Sequence, residues 1–420
     1  MPNLIEFDVQ SSDFQRDPYL TYALLHRNDA VLIDHQFGAY FIGGYADVHR
    51  ILTSPEFTTE PLAKRAEPVM GDRVLAQMKG PEHDAKRKAV LSGLTGRLFR
   101  ERYGPMIQRI SEDLLSPWLA LGRIDLVNQF GKEYGVLATL GLLGLPTDRY
   151  KEIAVWHTGV VDFVTSLSMS DQQRRFSLEC SRYLIDYLSP IVERCMRTPD
   201  QGLISMLCKA APEGQQMSVS EVVALVLNVL LAATEPADKT LALLFKHLLD
   251  NPAQFSGVKA NRELLGAAID ETLRLTSPVQ FIPRQTEVDA QVCGVNIPKG
   301  SVIFCLIGAA NRDPSVFDSP DIFQIDRKKP SGHLPLGKVA HHLAFGTGTH
   351  VCVGAAFSLL QIELTANLLL NKLKDIRYAP GFEYREQGIY TRGPSALCIE
   401  FSAAGSTSEK DGVAREVGAL

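Results

Sequence analysis

The sequence predicts an α-rich protein that carries small β-sheets. Apolar residues recur at helical spacing through most of residues 104–209, so helices should dominate that region. The longest predicted helix begins at Ser218, where Ser218 and Glu221 form a capping box, and its apolar run ends at Pro252. Strand signals are short and scattered by comparison. These patterns favour a mainly helical fold with minor sheets.

Shorter elements accompany these helices along the chain. Residues 57–78 show no clear period, so the sequence leaves their structure open. Turn residues separate two predicted strands near the N-terminus. The predicted elements are helices Pro18–Arg27, Ala46–Thr53, Met106–Leu121, Val136–Leu145, Val160–Met169, Gln172–Leu188 and Ala267–Leu275, and strands Ala30–Ile33 and Ala39–Ile42.

Composition limits the function classes. The 420 residues are 45% hydrophobic and 22% charged, which is typical of a soluble globular protein. Residues 1–402 show no linker and are expected to form one domain, whereas residues 403–420 are expected to be a disordered tail. The net charge of −5 argues against a nucleic-acid partner. Seven cysteines without CxxC spacing indicate the reducing cytoplasm, and neither a signal peptide nor a membrane anchor is evident.

The stretch from Phe345 to Gly354 contains the strongest functional signal. Gly346 and Gly348 permit backbone conformations with positive φ, as a loop pressed against a flat ligand would need. Apolar helical spacing begins directly afterwards, so Cys352 is expected at or near a helix N-terminus, which favours a thiolate. The alternative is a small buried cysteine without chemistry.

The complete pattern Phe-x-x-Gly-x-His-x-Cys-x-Gly resembles the haem-binding loop of the cytochromes P450. The resemblance implies one triangular-prism domain, with the haem between a distal helix and this loop. It also implies haem b as cofactor, with Cys352 as the axial iron ligand. His350 would then contact a haem propionate, Phe345 would pack beside the sulfur, and Gly354 would allow close approach.

The same resemblance assigns further propionate contacts. His83 and Arg87 stand four apart and therefore share a helix face. They correspond to a propionate-binding pair, and Arg284 corresponds to a second propionate-binding arginine. A solvated helix face is the alternative for the basic run that starts at Lys86. The other basic residues of this helix, Lys86 and Lys88, would be free to bind an electron-donor protein.

The middle of the long predicted helix reads Ala232-Ala233-Thr234-Glu235-Pro236-Ala237-Asp238. A proline within a helix predicts a kink, which by itself could be purely structural. In the resembled family this stretch lies over the haem, where an acid and a threonine relay protons. Glu235 keeps the acid, but Pro236 replaces that threonine and Ala233 replaces a glycine. Thr234, water or a substrate group is therefore expected to complete the proton path, and Pro236→Thr is expected not to improve turnover.

Three charged residues are predicted to be structural. Glu271 and Arg274 form a Glu-x-x-Arg pair about 80 residues before the cysteine loop. The resemblance implies that this pair is buried and that Arg327 joins it to hold the loop.

The resemblance also indicates where a substrate would bind. Val279, Gln280, Phe281 and Ile282 are expected to face it from a strand. Ala232 is expected beside the haem, with Ala233 and Ala237 in the substrate pocket. The stretch from Tyr384 to Phe401 resembles a hairpin whose tip, with Tyr390, enters the cavity.

The predicted activity is that of a haem-thiolate monooxygenase that uses O2. Electrons are expected from a separate ferredoxin or flavodoxin with its reductase. The run around Glu235 and the stretch Glu60–Met70 are similar to those of bacterial cyclodipeptide oxidases, which predicts a small apolar substrate such as cyclo(Leu-Leu). The alternatives are a hydroxylase of a terpenoid or polyketide and a haem sensor that does not turn over. Glu235 and the basic face near Lys86 argue against the sensor.

Overall fold

The computed structural model describes residues 4–96, 99–209, 216–328 and 341–404, apart from the side chains of residues 236–238. Helices make up most of this part of the chain. They are α1 (Ser12–Arg16), α2 (Tyr19–Asn28), α3 (Tyr45–Thr53), α4 (Glu60–Met70), α5 (Gly80–Leu94), α6 (Phe99–Leu119), α7 (Lys132–Leu143), α8 (Tyr150–Thr165), α9 (Asp171–Arg197), α10 (Leu203–Leu207), α11 (Val219–Asp250), α12 (Pro252–Ala260), α13 (Leu264–Leu275), α14 (Ile307–Ala310) and α15 (Ala355–Lys372).

The strands are β1 (Leu4–Glu6), β2 (Val31–Asp34), β3 (Ala39–Ile42), β4 (Phe57–Thr58), β5 (Arg123–Asp125), β6 (Phe281–Thr286), β7 (Ala290–Val292), β8 (Val295–Ile297), β9 (Val302–Leu306), β10 (Leu373–Tyr378), β11 (Glu386–Gln387), β12 (Gly393–Pro394) and β13 (Cys398–Ala403). Among the described residues, the largest sheet has the order β1-β2-β3-β9-β6-β4. Smaller sheets are β10-β13-β5 and the pairs β11-β12 and β7-β8. The prediction of an α-rich fold with small sheets is confirmed.

The long helix α11 is the centre of the molecule. Its Ser218 hydroxyl accepts from the Glu221 amide and the Glu221 side chain bonds back, so the predicted capping box is present. The helix packs against α7, α9, α13 and α15. It is also the one helix in the described part of the chain that is long and apolar enough to cross a membrane. Its packing among other helices accounts for that apolar character, because the core of a globular protein buries such a helix.

Residues 57–78, where the sequence shows no clear period, contain a helix. Helix α4 occupies Glu60–Met70. Pro61 lies at its N-terminal end, where a missing N–H costs little, and Pro68 lies in its last turn. Two prolines within eleven residues hide the helical pattern, although the apolar Ala66, Val69 and Met70 form a buried face.

Several element boundaries differ from the predicted ones. Helix α8 ends at Thr165, where Ser166 takes an extended backbone, so the helix predicted to reach Met169 ends earlier. At the other end of the chain, β13 includes Ala403, one residue beyond the predicted domain boundary at 402. The predicted disordered tail from residue 405 onward lies outside the described residues.

Candidate active site

A cavity lies between α11 and the loop that contains Cys352. It encloses about 1020 Å³ of empty space, including parts open to solvent. Its walls are mostly apolar and come from the N-terminal region, α11, β6 and the cysteine loop. The lining residues include Leu52, Thr59, Leu62, Ala76, Ala232, Val279, Ile282, Arg284, Ala344, Phe345, Gly346, Thr347, His350, Cys352 and Ile362.

The cysteine loop has the predicted backbone. Gly346 and Gly348 have φ of +68° and +72°, which residues with a side chain rarely adopt. A Cβ on Gly348 would also lie 2.9 Å from the carbonyl oxygen of Leu52, so that position requires glycine on two grounds. The Cys352 amide donates to the Phe345 carbonyl (2.8 Å), which closes the loop.

The Cys352 thiol faces the cavity and is accessible from it. Helix α15 begins at Ala355, just after Cys352, so the prediction of a position near a helix N-terminus is confirmed. Burial raises the pKa of the Cys352 thiol, whereas the backbone N–H groups of Gly354 and Ala355 and the charge of Arg87 lower it. A metal ion bound at the sulfur would deprotonate the thiol outright.

Basic side chains lie in and beside the cavity, whose described lining contains no acidic residue. His83 is buried; its Nδ1 lies 3.2 Å from Asp84 Oδ1, and its Nε2 has no hydrogen-bond partner among the described residues. Its ring lies 4.8 Å from that of His350, measured between centroids. Arg284 is 3% exposed, and its one hydrogen bond within the described residues goes to the carbonyl of Pro283. Arg87 lies near Cys352.

This arrangement fits haem. Burying a guanidinium without a paired anion is costly, so the group that belongs in the cavity should carry negative charge. Burial and the nearby charges of Arg284, His83 and Arg87 lower the pKa of His350 to about 4. A large planar group with carboxylates beside these four side chains and a metal at Cys352 would satisfy the orphaned donors.

A second pocket adjoins this cavity. The two share Leu62, Ala76, Ala232 and Val279, and the second one holds about 810 Å³ of empty space, including parts open to solvent. Most of its wall is apolar, with a few polar side chains. The remaining lining residues are Ala66, Met70, Val74, Val161, Val164, Thr165, Asn228, Leu231, Glu235, Tyr390 and Thr391.

Glu235 lies at one end of this pocket and joins α11 to the tip of the C-terminal hairpin. Its Oε2 accepts from Lys239 Nζ (3.1 Å) and from the Thr391 hydroxyl (3.1 Å). Lys239 also donates to the Thr391 hydroxyl at 3.1 Å. The three groups form a closed polar triangle at the edge of an otherwise apolar space.

Comparison with known proteins agrees with this geometry. A family model described as Cytochrome P450 matches residues 257–374. Pulcherriminic acid synthase of Bacillus subtilis (strain 168) is 47% identical over 399 residues, which cover 95% of this chain and 98% of that protein. The chain belongs to the cytochrome P450 family.

Other P450s share the whole architecture. The Biotin biosynthesis cytochrome P450 of Bacillus subtilis (strain 168) is 26% identical and covers 92% of this chain and 96% of its own. The crystal structure of CalO2 matches with a TM-score of 0.84 at 26% identity, over 95% of this chain and all of CalO2. This P450 is therefore a haem-thiolate oxidoreductase that uses O2 and electrons from redox partners. The prediction of an enzyme is confirmed over the alternative of a haem sensor that does not turn over.

The predicted role of Thr234 in proton delivery conflicts with its position in this P450. Its hydroxyl donates to the carbonyl of Leu230 (2.8 Å) and lies 3.3 Å from the hydroxyl of Thr139 on α7. The side chain is 5% exposed and packs against Gly135 of α7. It is not among the residues that line either cavity, and its contacts are with α7.

The structure describes the side chains of only some neighbours of Thr234 on α11. Ala232 lines both cavities, as its predicted place beside the haem requires. Ala233 is partly exposed, and its place in the substrate pocket remains a prediction. Helix α11 runs through Pro236 and Ala237, but their side chains lie outside the described residues.

Two of the four residues predicted to face substrate from the strand do not face it. Gln280 accepts from the Tyr22 hydroxyl (2.8 Å) and donates to the carbonyl of Ser277, so its side chain is used within the core. Phe281 is 1% exposed and stacks against Phe14. Phe281 and Ile282 are successive residues of β6, so their side chains point to opposite faces and only Ile282 reaches the cavity. Gln280 precedes the strand, and its two hydrogen bonds hold it in the core.

Val279, Ile282 and Tyr390 do line the cavities. Val279 lines both cavities and Ile282 lines the first one. The C-terminal hairpin forms through β11 and β12, and Tyr390 at its tip lines the second pocket. Thr391 pairs with Val279 through an isolated β-bridge, which fixes the tip over the pocket.

Glu271, Arg274 and Arg327 meet as predicted. Arg274 donates twice to Glu271, with Nε–Oε2 and Nη2–Oε1 distances of 2.8 Å. Arg327 Nη2 lies 2.9 Å from Glu271 Oε1. Both Glu271 and Arg274 are buried, at 5% and 2% exposed.

This ion cluster connects to the cysteine loop through Asn311. Arg274 Nη1 donates to the carbonyl of Asn311 (2.8 Å). The Asn311 side chain accepts from the amide of Leu343 (2.6 Å), just before the loop, and donates to Ser277. The cluster therefore holds the start of the loop through two backbone groups, which supports its structural role.

Lys86 is not free to bind an electron donor, contrary to the prediction. It is 2% exposed, and its Nζ lies 2.9 Å from Glu82 and 3.2 Å from Glu221. Since Glu221 belongs to the capping box of α11, this lysine joins α5 to the start of the long helix. Lys88 is exposed and stays a candidate for partner binding.

Proposed function

We propose that this P450 oxidises a cyclodipeptide such as cyclo(Leu-Leu), by aromatising the diketopiperazine ring and oxidising its nitrogens. The observation that carries the proposal is the second pocket, which is apolar over most of its wall and shares Ala232 and Val279 with the cavity of Cys352. Similarity to pulcherriminic acid synthase supports it.

The pocket chemistry matches such a substrate. Two leucine side chains need apolar surface, which Met70, Val161, Val164 and Leu231 among others supply. The ring amides need a few polar partners, since a buried amide without a hydrogen bond costs about 1–3 kcal/mol. Asn228, Glu235 and Thr391 can supply these partners.

The cofactor in this proposal is haem b, held by Cys352 at the iron and by His83, Arg87, Arg284 and His350 at its carboxylates. When bound, the haem supplies the activation of O2. The apolar wall excludes bulk water from the reacting face.

Proton delivery is assigned to Glu235 in this proposal. Its Oε2 can hold and pass a proton, and Thr391 and Lys239 both reach that oxygen. Thr391 would thus supply the hydroxyl that Pro236 does not provide. We further propose that a separate ferredoxin or flavodoxin, with its reductase, delivers electrons in the cytoplasm.

Absorption titration of the ferric protein with cyclo(Leu-Leu) tests the substrate. We expect a saturable shift of the haem band from low to high spin. Val164→Phe narrows the second pocket without reaching the cavity of Cys352, so it should weaken this binding about ten-fold or more. Its reduced carbon monoxide spectrum should match that of the wild type.

An intact carbon monoxide spectrum without any shift by cyclo(Leu-Leu) would contradict the cyclodipeptide proposal. The apolar wall would then favour hydroxylation of another small apolar metabolite, such as a terpenoid or polyketide.

A further inference from the structure

One face of α11 lines the second pocket with an apolar centre and two polar ends. Asn228, Leu231, Ala232 and Glu235 lie on this face. Their spacing is that of a single helical stripe, since residues three, four and seven apart share a face. Ala232, the smallest of the four, also borders the cavity of Cys352.

The carboxamide of Asn228 has no hydrogen-bond partner among the described residues, although apolar side chains such as Val74 and Val161 share its pocket. It is partly exposed, toward the pocket. Both its donor and its acceptor are therefore available to a ligand. An amide held in apolar surroundings gains most from a ligand that satisfies both groups at once.

The opposite end of the stripe offers a second donor and acceptor. The described hydrogen bonds of Glu235 reach Oε2, which leaves Oε1 as an acceptor. The Thr391 hydroxyl beside it can donate to a ligand instead of to Glu235. Seven residues of α-helix separate Asn228 from Glu235, which is about 10 Å along the axis.

We propose that Asn228 determines specificity by pairing with one cis-amide edge of the substrate, while Glu235 and Thr391 bind the opposite edge. A cis amide in a six-membered ring presents its N–H and C=O side by side, so a carboxamide can bond to both. A ring of this size with a hydrogen bond of about 2.9 Å on each side spans roughly 9–10 Å. That span matches the separation along α11.

This orientation places the ring across Ala232, which borders the cavity of Cys352. The centre of the ring then lies beside that cavity, and the two side chains extend along the apolar wall. A linear peptide, whose trans amides present N–H and C=O on opposite sides, cannot make the paired contact. The inference rests on the proposed function and adds Asn228 as the residue that recognises the ring amide.

Ferric titrations with cyclo(Leu-Leu) and with its N,N′-dimethyl derivative test the proposal. Asn228→Leu removes the amide at similar size, and Asn371→Leu makes the same exchange at an exposed position of α15 outside the pocket. We expect Asn228→Leu to weaken cyclo(Leu-Leu) binding about ten-fold or more, and Asn371→Leu to bind like the wild type. Methylation should weaken binding to the wild type much more than binding to Asn228→Leu.

The outcomes separate the two proposals. If the wild type responds to cyclo(Leu-Leu) but Asn228→Leu has the same affinity and the same methylation penalty, the inference is overturned and the proposed function stands. If the wild type does not respond, the proposed function fails and the inference fails with it. The carbon monoxide spectrum reports whether each variant is loaded with haem, and Asn228→Ser replaces Asn228→Leu if the latter does not fold.

Discussion

Four basic side chains lie in or beside the Cys352 cavity. Their polar groups with few or no hydrogen-bond partners indicate that the cavity binds an anion. His83 Nε2 has no partner in the described residues, and Arg284 bonds only to a neighbouring carbonyl there. Desolvated donors of this kind are stable only when an anion is bound. We propose that the propionates of a haem supply that anion.

Gly348 allows a test of the loop geometry. Gly348→Ala should lower stability and haem content, because φ is +72° and the new Cβ would meet the Leu52 carbonyl at 2.9 Å. Gly294→Ala is the matched control, since its φ is +73° and a Cβ there meets nothing within 4 Å. The control should cost about 1–2 kcal/mol from backbone strain alone. Equal losses in urea unfolding and equal haem content would contradict the proposed clash.

Thr391 tests the proton path. Thr391→Val keeps the side-chain shape but removes the hydroxyl that reaches Glu235 Oε2, so product formed per reductant consumed should fall several-fold. Thr158→Val is the control, because that hydroxyl is exposed on α8 and bonds to its own helix. Unchanged coupling in Thr391→Val would remove Thr391 from the path.

For individual residues, the sequence predicts a functional role where the residues form a local motif. It does not predict contacts between residues that only the fold brings together. Cys352 and His350 are recognisable because their spacing within one loop is itself the signal. The Thr391 contact with Glu235 and the orientation of Asn228 have no such signal, since they depend on how a distant hairpin and helix pack. The contact of Thr234 with α7 depends on packing in the same way, and only the structure shows it.

Among the secondary-structure elements, α13 is connected to the cysteine loop and helps to hold that loop in position. Glu271 binds two arginines, and Arg274 reaches the loop through Asn311. The Glu-x-x-Arg motif predicted the pair, but the link through Asn311 to Leu343 could not be read from sequence. Helix α4 was missed because Pro61 and Pro68 interrupt its pattern.

Removing Glu271 should therefore be costly. Glu271→Ala leaves Arg274 buried and unpaired, so we expect a loss of about 3–5 kcal/mol in unfolding free energy, together with reduced haem content. Glu363→Ala breaks the Arg100 pair, whose side chains are 58% and 38% exposed, and should cost about 0–1 kcal/mol. A similar loss in both variants, by denaturant unfolding followed with circular dichroism, would contradict a buried structural cluster.

For the whole molecule, the order of motifs along the chain was enough to predict the fold, because each motif occupies a set place around the haem. The long helix α11 contributes to the core, to the wall of the cavity and to the second pocket.

Buried histidines elsewhere make the stability of the whole protein depend on pH. Burial lowers the pKa of His157 to about 4, of His342 to about 3, and of His247 well below 6.5.

Acidification should therefore destabilise the folded protein. Above pH about 6.5 these histidines are neutral in both states and have no effect. As the pH falls from about 6.5 to about 4, the unfolded chain binds protons that the folded chain does not, so the unfolding free energy decreases. Urea unfolding across this range should show that decrease, and His157→Gln should make it shallower. Stability that stays constant or rises on acidification would contradict this prediction.

Product analysis tests the central claim most directly. The haem-loaded protein would be supplied with cyclo(Leu-Leu), a surrogate ferredoxin with its reductase, and isotopically labelled O2, and the products would be analysed by mass spectrometry. The proposed function predicts a ring-oxidised product that carries label at its nitrogens. Steady consumption of reductant with cyclo(Leu-Leu) recovered unchanged would contradict it.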